Sequence, residues 1–153
     1  MSQQMADPFV WNQGEYVFLG ASNVYDLFDP EAYGLKPEAP HTACWKGFIV
    51  HFLLKKNQLF IDKLEVNCEN DEYPDINGVV AKKSILSDSF HVYSKLKMPV
   101  KYTGTVIVGK ELKERFFGRA FTGPHSYATT YELEFEEGVL LDYKETSGIY
   151  HGI

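Results

Sequence analysis

Cysteine is scarce: the chain carries 2 in 153 residues, Cys44 and Cys68. Disulfide scaffolds are shorter and richer in cysteine, so the pair reads as reduced thiols. Long apolar runs are missing too. The longest, Phe48 to Leu54, is broken by His51 and is too short to cross a bilayer. The first twenty residues hold neither a basic stretch nor an unbroken apolar one, which argues against a secretory signal. A cytoplasmic protein with no membrane partner is therefore the expectation. Positive charge is also in deficit, with 15 Lys and Arg against 21 Asp and Glu and a net charge of −6. General nucleic-acid binders are usually basic, so that class is disfavoured.

Motifs that carry chemistry are equally sparse. There is no G-x-S-x-G elbow, and His125 and Ser126 are only sequence neighbours. Thr103-Gly-Thr and Val108-Gly-Lys110 lack phosphate-loop spacing. His41-x-x-Cys44 has the spacing of half a zinc site, but no second close pair completes it. Asp75-Ile-Asn77-Gly78 resembles part of a calcium loop. Tyr73 and Ser84, however, fill the positions that need Asp and a bidentate Glu. No metal and no cofactor is expected. A binding protein is favoured over an enzyme, whose residues would have to converge from distant segments.

What the chain does have is aromatic residues and strand patterning. Aromatics make up 15% of the residues and hydrophobics 44%, enough for one well-filled domain over residues 1–153. Glu15–Gly20 reads as a strand. A long loop follows over 21–40, with one helical turn at Pro30–Tyr33. The segment from Cys44 to Leu54 is the strongest strand. Phe48, Val50, Phe52 and Leu54 share one face, while Ile49, His51 and Leu53 share the other, as in a strand covered on both sides. Leu59–Cys68 returns, with Phe60, Leu64, Val66 and Cys68 on one parity. Strands are also expected at Ser89–Leu96, Val100–Val108 and Glu114–Phe121, or a short helix at Lys110–Phe116 in place of the last. In Thr130–Glu136, Tyr131, Leu133 and Phe135 alternate with Glu132, Glu134 and Glu136. Val139–Tyr143 closes a hairpin. A three-residue loop, 136–138, would pair Phe135 with Val139 and Leu133 with Leu141. Thr146–Ile153 reads as a frayed tail. The sum is a mainly antiparallel all-β domain, a barrel or sandwich of about eight strands with at most short helical turns.

Two pairings have functional weight. With Lys55–Asn57 as a hairpin loop, Cys44 and Cys68 would sit opposite each other at a separation that a disulfide can span. That geometry permits a thiol switch; two buried, reduced thiols are the alternative. Charge is segregated along the chain: residues 62–88 are net −4, residues 95–119 net +5 and residues 125–153 net −5. The acidic ends could steer a basic protein, or the basic middle could pair with the acidic strands within one sheet. The aromatics likewise either fill a core or line a cavity for an apolar ligand. The G-x-W of lipocalins is absent before Trp11, which follows Phe9 and Val10.

Thr42-Ala-Cys-Trp-Lys-Gly-Phe-Ile49, a polar turn and Leu59-Phe-Ile61 together resemble a group of small uncharacterised bacterial proteins with a W-[KR]-G-[FY] strand and hairpin. Tyr102–Ile107, Ser126-Tyr127, Tyr131–Phe135 and Gly138–Leu140 are similar to their second half. Gly118-Arg-Ala120 departs from the His-Met pair found there. The resemblance implies a β-rich bacterial domain and transfers no active site.

These readings converge on an acidic, non-enzymatic protein that works through a protein partner of basic character, such as an immunity or inhibitor protein for a basic toxin. Its expected contacts are Glu132, Glu134 and Glu136 with Glu69, Asp71, Glu72 and Asp75. A small-molecule-binding barrel and an enzyme of unfamiliar type are the alternatives. A second copy of the chain is a further partner the sequence leaves open.

Overall fold

The computed structural model describes residues 4–119 and 122–148. Ten strands form a mainly antiparallel sheet. They are β1 (Pro8–Trp11), β2 (Gly14–Ala21), β3 (Phe48–Lys55), β4 (Gln58–Val66), β5 (Lys82–Lys83), β6 (His91–Tyr93), β7 (Met98–Pro99), β8 (Gly104–Leu112), β9 (Tyr127–Glu136) and β10 (Val139–Glu145). Among the described residues, helical structure is limited to α1 (Val24–Leu27) and 3-10 turns at Pro30–Tyr33, Glu114–Phe116 and Pro124–Ser126.

The sheet runs β10-β9-β8-β2-β1-β3-β4, and β10 then meets β4, which closes seven strands into a barrel. Closure rests on one register pair, Val139 with Gln58. Further along the same edge of β4, Met98–Pro99 and then His91–Tyr93 take over the pairing. Among the described residues, only β1 and β3 run parallel.

Alternation explains the filling. Phe9 and Trp11, then Val50, Phe52 and Leu54, face inward and are buried. Leu133 and Phe135 also face inward, at 0% and 2% exposure, while Glu134 and Glu136 are exposed, as the strand period requires. Each fully buried side chain of this size contributes about 1.5–3 kcal/mol. On β3 the outer face is covered too, because Ile49 packs with Cys44 and Phe90 in a small second cluster.

Several registers differ from expectation, each for a local reason. The β3–β4 loop has two residues, because Lys56 and Asn57 both adopt left-handed φ, 50° and 64°. This is the primed turn that suits the twist of a hairpin. A bulge opposite the His51–Phe52 step then reverses parity in β4. Phe60 therefore lies outside the buried set, and Leu59 and Ile61 point inward with Leu64 and Val66. The β9–β10 loop is also two residues long, Glu137 and Gly138, and pairs Leu140 with Phe135 and Tyr143 with Leu133.

Four further segments differ. Glu114–Phe116 forms a 3-10 turn, in place of the strand expected over 114–121 and shorter than the alternative helix at 110–116, whose first three residues end β8; Ala120 and Phe121 lie outside the described residues. Strand β1 (Pro8–Trp11) adds to the strands expected from the sequence. The expected strand over 89–96 shrinks to three residues. Finally, at the start of the expected tail Thr146 is buried and shares a 2.8 Å hydroxyl hydrogen bond with Thr130. Residues 149–153 lie outside the described residues.

Candidate functional site

The two ends of the barrel differ in chemistry. At one end the turns Asn12–Gln13 and Lys56–Asn57 lie side by side, since Trp11 pairs with Leu54; across the barrel closure Leu140 N–H donates to the Asn57 carbonyl at 2.8 Å. Trp11 plugs this end, with ring centroids 5.5 Å from Tyr16, 5.2 Å from Tyr131 and 5.1 Å from Tyr143. Between the ends, Phe9, Phe52, Leu59 and Leu133 belong to the main buried cluster.

At the other end, near Phe48, residues 22–40 fold over the mouth. Asn23 Oδ1 accepts from Tyr25 N–H and caps α1, and Asp29 Oδ1 accepts from Glu31 N–H and caps the expected turn at Pro30–Tyr33. Leu27, Phe28 and Leu35 tie this segment to the core. Between it and the barrel wall lies a cleft of about 630 Å³. Phe18, Phe28, Phe48 and Phe52 form its walls, and Tyr25 stands at its lip, 70% exposed.

Asp7 and Lys46 form an ion pair on one side of the cleft. Asp7 is buried, and its other carboxylate oxygen accepts Val50 N–H at 2.8 Å. Burying a carboxylate is costly unless it is paired and hydrogen-bonded, and here both conditions are met. Lys46 Nζ also stands 4.8 Å from the Phe48 ring centroid. A second concavity of about 700 Å³ lies on the outer side of β2 and β8, beside Glu15, Val17, Leu19 and Lys110.

The acidic residues expected to act together fall into two groups. Glu132, Glu134 and Glu136 lie on the outer face of β9. Glu134 is paired across the ladder with Asp142, and Glu132 with Lys144, whose ammonium is 3.8 Å from the Glu132 carboxylate. Glu136 sits by the Val139–Gln58 closure. Glu69, Asp71, Glu72 and Asp75 are exposed at the end of β4 remote from Gln58, about 26 Å away at the strand rise. Among the described residues, no ion pair joins the groups, and none links the carboxylates of β9 and β10 to the lysines and arginines of 95–119.

The acidic loop is not merely solvated. Ile76 is 1% exposed and belongs to the main core. Asn77 and Gly78 make a left-handed turn that bridges Ile76 to Val79. Tyr93 hydroxyl donates to the Pro74 carbonyl, and burial pushes the Tyr93 pKa up to about 12, which keeps it a donor.

The cysteines are not opposite each other. Cys44 precedes β3 and belongs to the small cluster, whereas Cys68 follows β4 and belongs to the main core. The two-residue turn and the β4 bulge displace the register that would have aligned them. Both thiols are free and buried, and burial raises the pKa of each. A raised pKa lowers the thiolate fraction and therefore the reactivity. His51 instead partners Glu65, at 2.8 Å on the outer face of β3 and β4. That hydrogen bond holds the Glu65 carboxyl below the usual glutamate range.

Among the described residues, no group of three or more His, Cys, Asp or Glu is placed to hold a metal ion, and no helix is long and apolar enough to cross a membrane. No family model matches the chain, and no curated protein or solved structure matches it. Two features escaped the sequence reading: the mouth cleft and the tip Ile85–Leu86, exposed at 98% and 89%. The cleft gave no local signal, because its walls come from four separate segments.

Proposed function

We propose that the chain is a non-enzymatic binding protein whose acidic β9–β10 face engages a basic protein. One observation carries the reading: Glu134 and Asp142 are direct cross-strand partners on an exposed sheet face. Like charges placed opposite one another weaken a sheet. A cationic surface laid against this face removes the repulsion, so the complex recovers what the free protein forgoes. Glu132 and Glu136 extend the same charge along β9. The concrete form is an immunity or inhibitor protein that covers a basic toxin in a bacterial cytoplasm. The buried cluster inside the barrel supports a surface role over a ligand carried there. The loop acids Glu69, Asp71, Glu72 and Asp75 form a separate, secondary contact at the mouth end.

An octalysine peptide serves as a probe of this surface. Calorimetry with wild type and with the triple variant Glu132→Lys, Glu134→Lys, Glu136→Lys should show affinity falling about tenfold or more in the variant. It should also weaken steeply with added salt. An unchanged affinity, or salt-independent binding, overturns the choice of face.

A further inference from the structure

We infer that the cleft at the barrel mouth is a binding site for a small organic cation, an amine or quaternary ammonium carried on an apolar body. Its volume, about 630 Å³, lies within the range of small-ligand pockets, roughly 300–1,000 Å³. The walls are aromatic: Phe18, Phe28, Phe48 and Phe52 line the cavity, and Tyr25 stands at the opening. Such walls suit an apolar body, and ring faces attract a cation.

Charge selects the sign of the ligand. The charged residues at the cleft are Asp7, Asp29, Glu31 and Lys46. Lys46 is already held by Asp7, so the acids Asp29 and Glu31 at the lip set the balance. With these two included, the segments that build this end, 22–40 and 69–78, carry eight carboxylates against the single Lys36. Glu69 N–H bonds to the Lys36 carbonyl at 2.9 Å, and Pro37 bridges Cys68, so the segments are joined. A low-dielectric cleft under a field of one sign concentrates ions of the opposite sign. The chemistry is already represented within the wall, where the Lys46 ammonium rests between the Asp7 carboxylate and the Phe48 ring. This site is independent of the β9–β10 face.

The test is a titration of the full chain with octyltrimethylammonium, octyl sulfate and octanol, each kept below its micelle or solubility limit and followed by side-chain NMR. The ammonium should bind about tenfold tighter than the sulfate and tighter than the alcohol, and should shift the ring resonances of Phe28, Phe48 and Phe52. Asp29→Asn with Glu31→Gln keeps the turn cap and should weaken the ammonium severalfold while leaving octanol unchanged. Phe48→Leu should weaken all three. Equal affinity for the three probes, a preference for the sulfate, or no binding overturns the inference. So does an unchanged ammonium affinity in the lip variant, or ammonium-induced shifts confined to residues 132–145.

Discussion

Gly138 presses against the main chain of Val100 so closely that a Cβ on the glycine would stand 1.9 Å from the Val100 carbonyl oxygen. Around this contact the barrel closes. Gly138 N–H donates to the Tyr102 carbonyl at 2.8 Å, its own carbonyl accepts from Leu59 N–H at 2.9 Å, and Val139 pairs with Gln58. Its φ of 81° is left-handed as well. Two independent constraints therefore demand glycine at one position.

Gly138→Ala should destabilise the fold by about 3 kcal/mol or more, through clash and backbone strain together. Gly78→Ala is the control. Its φ is similar, 75°, but nothing lies within 4 Å of an added Cβ, so only the conformational cost of about 1 kcal/mol applies. Urea unfolding of both variants checks the contrast; equal losses would mean that the Val100 contact does not matter.

Ile76→Ala should cost about 2–5 kcal/mol, as expected for a buried aliphatic side chain. The exposed neighbour Asp75→Asn should stay within about 0.5 kcal/mol of wild type. Thermal melts decide whether the acidic loop is an integral part of the core, and a neutral Ile76→Ala would show that it is not.

Both thiols should react slowly with a thiol reagent in the native protein and rapidly after unfolding, with two titrated in total. Burial and the raised pKa act in the same direction. Fast native labelling, or fewer than two thiols after unfolding without reductant, would restore a redox role.

Glu65 contributes a stability term with a defined sign. Its pKa is depressed in the folded protein, so the unfolded state takes up the proton first as pH falls. The contribution is fully present above the ordinary glutamate pKa of about 4.3 and fades as pH drops through the lower folded value. Glu65→Gln should therefore lose stability relative to wild type at about pH 6, and less at about pH 3. A gap between the two melting temperatures that is constant over this range would rule out the linkage.

Much of the fold is legible because it is local. The two-faced apolar pattern of Phe48–Leu54 marks a strand with a neighbour on each side and cover outside, and Pro30–Tyr33 forms a turn where Asp29 and Pro30 place one. The alternation of Leu133 and Phe135 with glutamates defines the inner and outer faces of β9. What escapes is set by tertiary context. Lys56–Asn57 and Glu137–Gly138 both accept left-handed turns, which shortens two loops and moves every partner beyond them. The bulge beside Asp62 reverses the faces of half a strand and separates Cys44 from Cys68. The surface acids are visible one by one, but their division between β9 and the mouth end depends on barrel closure at Val139–Gln58. The cleft depends on Phe18, Phe28 and Phe48 meeting from distant segments, which no sequence period announces.

The most direct test of the acidic β9–β10 face is an amide NMR map of the wild-type chain during titration with octalysine at low salt. Resonances of residues 132–145 should shift first and furthest, and should return toward their free positions as salt is added. Shifts confined to residues 69–78, or spread evenly over every exposed carboxylate, would contradict the assignment.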